Sequence, residues 1–319
     1  MNRQFGVASR PLWSILFSIK PSNLANSANS ASESASFAIA PTPSATTAPL
    51  ALTVQVAGPA TGFPILALHG HPGRGISLQV FLDHLSDRYR VLAPDLRGYG
   101  HSRVSQPFTM ADHLHDLEAL LDQQGNSRCI LLGWSLGGIL ALELTLKCPD
   151  RVQGLILIAT AARPRSNHPR ITWPDNLLTG LAAIANQIQP GAPWHIRAFG
   201  RRSLFRYLVQ QQTPATYRWL ARDAIGAYRQ TSRYANQALH DALRSGYDRL
   251  PELAQITQPC LCLCGEQDRH ITATATKETA AALPNSELHC YPQTAHLFPW
   301  EIPAQVNADL DRWLAQFTP

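Results

Sequence analysis

An α/β fold with a mostly parallel central sheet, flanked by helices and carrying a helical insertion, is the architecture this sequence predicts. Three observations carry that expectation. Short apolar runs alternate with segments of helical periodicity, the pattern of parallel strands joined by crossover helices. A Gly-x-Ser-x-Gly turn, Gly133-Trp134-Ser135-Leu136-Gly137, joins one such run to the helical segment after it. An aspartate and a histidine, Asp268 and His296, then follow two later runs in chain order.

The elements follow in sequence. Pro64-Ile65-Leu66-Ala67-Leu68 reads as a buried strand ending in His69-Gly70-His71-Pro72-Gly73. A glycine lets the backbone turn inward there, so the amide of His71 can join that of Leu136 in an oxyanion hole. Residues 91–94 make another strand, followed by the glycine-rich loop Asp95-Leu96-Arg97-Gly98-Tyr99-Gly100-His101-Ser102. A helix over 109–124 starts with the capped turn Thr109-Met110-Ala111-Asp112; its His113 and His115 lie on different faces and share no metal. Cys129-Ile130-Leu131-Leu132 is the strand entering the serine turn, and residues 138–147 form the helix leaving it. Only residues without side chains fit beside the serine in that turn, which leaves Ser135 Oγ exposed at the sheet edge.

After a strand at 154–159, the next core strand begins only at Pro259. Residues 161–250 are therefore expected to form a helical cap, inserted after the sixth core strand, between core segments 49–160 and 251–319. Its helical patterns include residues 219–225 and 238–243, with breaks near Gln189 to Pro193 and at Pro214. Strands at 259–265 and 287–291 come next, and a last helix starts near Pro303.

The order Ser135, Asp268, His296 supplies a nucleophile, an acid and a base. Serine is too weak an acid to attack unaided, an imidazole takes its proton near neutral pH, and a carboxylate fixes the imidazole tautomer and stabilises its cation. On these motifs the sequence resembles the α/β-hydrolase-fold family. HGHPG is similar to that family's oxyanion loop, DLRGYGHS to its Asp-x-x-Gly-x-Gly-x-Ser loop and GWSLGG to its nucleophile elbow, while GEQD and AH resemble its acid and histidine loops. The likeness covers about residues 50–318 apart from the insertion, and the elbow resembles that of carboxylesterases and pimeloyl-carrier-protein methyl ester esterases more than that of prolyl aminopeptidases. Prolyl aminopeptidases share the His-Gly-x-Pro-Gly loop, but they need pocket carboxylates, and the insertion has no glutamate. The resemblance implies a serine hydrolase of carboxylic esters or related acyl substrates, without cofactor or metal. A cofactor-free C–C lyase or synthase, such as 2-succinyl-6-hydroxy-2,4-cyclohexadiene-1-carboxylate synthase, or a perhydrolase on the same triad, is the alternative it leaves open.

Charge is concentrated in the insertion. Residues 161–250 hold 13 arginines and 4 aspartates with no lysine or glutamate, whereas the chain as a whole is only +5. A solvated face, a docking surface for an acidic carrier protein, and a pocket for an anionic acyl substrate all fit such a surplus. Arg197, Arg201, Arg202 and Arg206 would share one helix face if that stretch were a single helix, so Arg202 and Arg206, with Trp134, are candidate substrate-binding residues. A nucleic-acid partner is not expected, because the insertion shows no aromatic-interleaved basic motif. No apolar run reaches the ~18 residues of a membrane span. Cys260, Cys262 and Cys264 alternate as small hydrophobes rather than pairing, which favours a reducing compartment and a cytoplasmic protein. Residues 1–48 read as a low-complexity, disordered leader, with a targeting segment or a translation start placed too far upstream as the alternatives.

Overall fold

The structure is a computed structural model that describes residues 48–125 and 128–317. The expected leader thus lies outside the described residues, except for its last position. Seven strands make one sheet: β1 (Val54–Ala57), β2 (Phe63–Leu68), β3 (Tyr89–Pro94), β4 (Cys129–Trp134), β5 (Val152–Ile158), β6 (Cys260–Gly265) and β7 (Ser286–Tyr291). Their spatial order is β1-β3-β2-β4-β5-β6-β7; only β1 runs antiparallel to its neighbour, with Val54 opposite Pro94.

The central strands are apolar throughout because both faces are covered, and successive side chains go to opposite faces. Leu66, Leu68, Leu131, Leu155, Leu157, Cys260 and Cys262 belong to one core. Ile65, Ala67, Ile130, Leu132, Ile156, Ile158, Leu261 and Leu263 belong to the other. Two cysteines of β6 thus serve as small core residues, and burial pushes the Cys260 thiol up to about 12. The second core is closed by α1 (Gln79–Leu85) through Val80, Phe81, Leu82 and Leu85. The first is closed by α2 (Met110–Gln123) and α3 (Leu136–Lys147). As expected, Thr109 and Asp112 cap α2, with the Thr109 amide donating to Asp112 Oδ2 at 2.7 Å. His113 is a core residue beside Phe108 and Tyr99.

Between β5 and β6 lie α4 (Trp173–Ile188), α5 (Pro193–Ala198), α6 (Phe205–Leu208), α7 (Pro214–Ala221), α8 (Ala224–Arg229) and α9 (Arg233–Arg244). After β6 come α10 (Ala273–Ala282), α11 (Phe298–Glu301) and α12 (Pro303–Leu314).

Three expectations need correction. The insertion follows the fifth strand of the described residues, not the sixth. The chain before Val54 is held over the sheet edge by other partners: the Thr53 carbonyl accepts from the Asp95 amide at 2.8 Å, and the Leu50 amide donates to Asp116 Oδ1 at 2.6 Å. The helical pattern at 219–225 is split, because Asp223 leaves helical geometry to accept from Arg74 Nε at 2.6 Å and from Ser77. Arg197, Arg201, Arg202 and Arg206 do not share a helix: Arg197 is on α5, Arg201 and Arg202 are in a 3₁₀ turn, and Arg206 is on α6. Gly200 breaks the run by closing on Tyr217, whose hydroxyl would lie 2.2 Å from any Cβ placed there.

Candidate active site

β4 runs into Ser135, whose φ of 53° and ψ of −114° are unusual for a residue with a side chain. Its amide donates to the Ile158 carbonyl at 2.9 Å, and its carbonyl accepts from Thr160 Oγ1 at 2.8 Å. Small neighbours are obligatory. A Cβ on Gly133 would come within 2.4 Å of the Gly137 carbonyl oxygen, and one on Gly137 within 2.0 Å of the Leu68 carbonyl oxygen. Leu136 opens α3, so its N–H is one of the amides a helix start leaves without an intrahelical acceptor.

The acid and histidine loops meet at the same edge of the sheet. Asp268, buried just beyond β6, accepts from the His270 and Ile271 amides through Oδ1 at 2.7 and 3.0 Å. Its Oδ2 lies 2.7 Å from His296 Nδ1. The two loops are stitched together: the Gln267 amide donates to the Thr294 carbonyl at 2.9 Å, and the Thr294 amide donates to Gln267 Oε1 at 2.9 Å. Glu301 accepts from the Ala295 amide at 2.9 Å and from the Gln210 amide of the insertion at 3.0 Å.

Beyond β2, His69 Nε2 accepts from the Leu96 amide at 3.0 Å while Nδ1 donates to the Gly70 carbonyl at 2.8 Å. Burial pushes that ring down to about 4, in keeping with a neutral structural imidazole. Gly70 sits against Trp134, whose Cε3 would be 2.7 Å from a Cβ at that position. Asp95 explains the glycine-rich loop: it accepts from the Gly75 and His101 amides, each at 2.8 Å, and a Cβ on Gly100 would lie 2.1 Å from its Oδ2.

A cavity of about 410 Å³ opens beside these loops. The sheet side contributes His71, Trp134, His270, His296, Leu297 and Trp300; the insertion contributes mainly apolar groups such as Ala183, Ile184, Phe205, Leu208, Trp219 and Ile225. Trp134 lines the cavity, and its ring lies 5.8 Å from that of His296. Arg202 and Arg206 do not line it. Arg202 is exposed, and Arg206 is held by Asp175 at 2.6 Å, away from the cavity lining. Of the insertion's arginines Arg229 alone is among the lining residues.

Of the lining residues that the sequence does not single out, two border His296 and Trp134. His270 packs edge-on against His296 with ring centroids 4.7 Å apart, and burial holds it well below the usual histidine range. Its position two residues after Asp268, in the same loop, was the available signal. Trp300, 4.7 Å from the Trp134 ring, had none. Among the described residues no group of three or more His, Cys, Asp or Glu side chains is arranged to hold a metal ion, and no helix is long and apolar enough to cross a membrane.

A family model of the alpha/beta hydrolase fold matches residues 64–303. Over 249 residues the chain is 28% identical to the biotin biosynthesis bifunctional protein BioHC of Cellvibrio japonicus (strain Ueda107), with 76% of this chain aligned. It spans about half the length of that relative, 46%. It is 27% identical over 253 residues to the pimeloyl-acyl-carrier-protein methyl ester esterase of Vibrio atlanticus (strain LGP32), covering 74% of this chain and 88% of that protein. A thermophilic esterase from Thermogutta terrifontis, solved with malate bound, matches with a TM-score of 0.64 at 25% identity, covering 83% of this chain and 93% of the other.

Proposed function

The chain belongs to the alpha/beta hydrolase fold family, and from that premise we propose that it is a serine hydrolase cleaving carboxylic esters whose acyl or alcohol part is apolar. The observation that carries this reading is the buried Asp268–His296 pair, 2.7 Å apart, at the sheet edge that also holds the strained Ser135 turn. Ser135 Oγ attacks the ester carbonyl while His296 Nε2 takes its proton, with Asp268 holding the ring in the tautomer that carries hydrogen on Nδ1. The backbone amides of Leu136 and His71 stabilise the oxyanion. Collapse returns the proton from His296 to the departing alcohol, leaving an acyl-serine. Water, deprotonated by His296, then releases the carboxylic acid and restores Ser135.

In this reading residues 161–250 act as a cap, and the apolar lining of the cavity sets the substrate class. A carrier-linked methyl ester, as in the name of the Vibrio relative, is one member of that class. The lyase or synthase alternative calls for a cation facing an anionic substrate, and Arg229 is the lining residue that favours it.

A fluorophosphonate probe tests the assignment directly. The adduct is expected on Ser135 alone, blocking hydrolysis of neutral aryl esters; an adduct elsewhere, or none on folded protein, removes the assignment. Rates on a neutral ester and on its carboxylate-bearing analogue separate the two readings, with the neutral ester expected to be faster.

A further inference from the structure

α4 lays an apolar stripe in solvent. Trp173 is 71% exposed, Leu177 46%, Leu181 39%, Ile184 54% and Ile188 75%. At about 100° per residue these five positions fall within an arc of roughly 80°, so they form one continuous ridge along the helix. One flank, with Ala182 and Ala185, is buried; the other, with Thr179, Gly180 and Ala183, lines the cavity, and Ile184 belongs to both ridge and cavity. The ridge therefore borders the substrate cavity. Trp194, 49% exposed on α5, adds to the apolar surface, and α5 packs against α4.

The charge around the ridge has one sign. Between residues 170 and 202 the exposed charged side chains are Arg170, Arg197, Arg201 and Arg202. The single acidic residue there, Asp175, is buried and paired with Arg206. The turn carrying Arg201 and Arg202 packs on α4.

We propose that this face docks on an anionic phospholipid membrane, with α4 lying in the headgroup region and its ridge turned toward the acyl chains. A helix with an apolar ridge, flanking arginines and indole rings suits that interface: the arginines attract anionic headgroups and the tryptophans occupy the boundary between apolar and polar layers. A two-fold dimer through the same face would bring the four arginines toward their own copies, which opposes it. An acidic protein surface would satisfy the arginines yet leave Trp173, Leu177 and Ile188 without apolar cover. Docking would set the cavity beside the acyl layer, so an apolar ester could enter without crossing water. The proposal goes beyond the reaction assigned above, and because it is read out by binding it stands or falls independently of Ser135.

Flotation of the full chain with phosphatidylcholine vesicles, with and without phosphatidylglycerol, tests it. Partition onto the anionic vesicles is expected to be at least ~tenfold stronger and to weaken as salt is raised. Leu177→Glu combined with Ile188→Glu should reduce it by at least ~tenfold, while melting temperature and hydrolysis of a soluble short-chain ester stay at parental values. Trp173→Ser gives the same test where the double variant fails to fold. Replacing Arg197, Arg201 and Arg202 by Gln should remove the anionic preference, by roughly fivefold per arginine. Equal partition onto both vesicle types, or parental binding by the ridge variants, overturns the proposal. So does a dimer, or capture of an acidic acyl carrier protein, that the same substitutions abolish while vesicles remain unbound.

Discussion

Replacing Gly137 by alanine asks whether contact with the sheet sets the nucleophile turn. The added methyl would sit 2.0 Å from the Leu68 carbonyl oxygen and 2.5 Å from its carbon, where real Cβ contacts essentially never fall below 3.0 Å. Backbone atoms of β2 and α3 are the only groups that can yield, so the first turn of α3 must retreat by about 1 Å, carrying the Leu136 amide and Ser135 with it. Overpacking of this kind costs about 1–3 kcal/mol, partly offset by the ~1 kcal/mol that alanine gains over glycine within a helix. In a domain of this size the melting temperature should fall by no more than a few degrees. Activity should suffer more, because a displacement of about 1 Å at reacting groups costs on the order of 10²-fold in rate. Ester hydrolysis and thermal melts on the same samples give both numbers. Gly180→Ala is the control: nothing lies within 4 Å of a Cβ on that α4 glycine, so its melting temperature should hold or rise. Parental rate and parental melting temperature in the Gly137→Ala protein would refute the claim that β2 sets the elbow.

Further expectations follow from the buried polar groups. Asp268→Asn keeps the shape but removes the acceptor 2.7 Å from His296 Nδ1, and kcat should fall on the order of 10³- to 10⁴-fold; an unchanged rate would place the acid elsewhere. Burial lowers His113 to about 3 and His69 to about 4, so the unfolded chain takes up protons below pH ~6.5 that the folded chain refuses. Stability conferred by the neutral rings is therefore full above that pH and is lost as pH falls, by ~1.4 kcal/mol per unit per histidine. His113→Leu should shrink the drop between pH 7 and pH 5 by about 2 kcal/mol in urea titrations, and an unaltered drop would exclude His113 as a contributor. Arg97 grips Asp116 through Nε at 2.7 Å and an Nη at 2.6 Å, both side chains being almost fully buried. Arg97→Ala should cost about 3–5 kcal/mol by leaving a buried carboxylate unpaired, and a change below ~1 kcal/mol would contradict that account.

What could be read from the sequence depended on how local its cause is. The Thr109–Asp112 cap and the alternating cysteines of β6 rest on neighbours a few residues away, and the chain spells them out; the five-residue spacing of the Ser135 turn is equally plain, although Leu68, Ile158 and Thr160, which hold it, are distant in the chain. His69 and Asp95 were legible as parts of loops, though their partners, the Leu96 amide for one and the Gly75 and His101 amides for the other, appear only in space. The arginines of the insertion were misread for the same reason. Spacing suggested one helix face, but Gly200 closes on Tyr217 and Asp175 captures Arg206, contacts that join positions 17 and 31 residues apart. His270 and Trp300 reach the cavity through the packing of His296 and Trp134, and periodicity carries no trace of such contacts.

The backbone of Ser135 carries a cost that the rest of the molecule must outweigh. A non-glycine residue at φ 53° and ψ −114° is strained by about 1–3 kcal/mol, and its hydrogen bonds to the Ile158 carbonyl and from the Thr160 hydroxyl hold it there. Ser135→Gly would relieve that strain while removing the nucleophile, so the inert protein should melt later than the active one. Reactivity and durability are thus opposed at a single residue. A search for heat-tolerant descendants that scores only folded protein would enrich inactive variants at this position, whereas one that scores turnover would have to find its stability elsewhere in the fold.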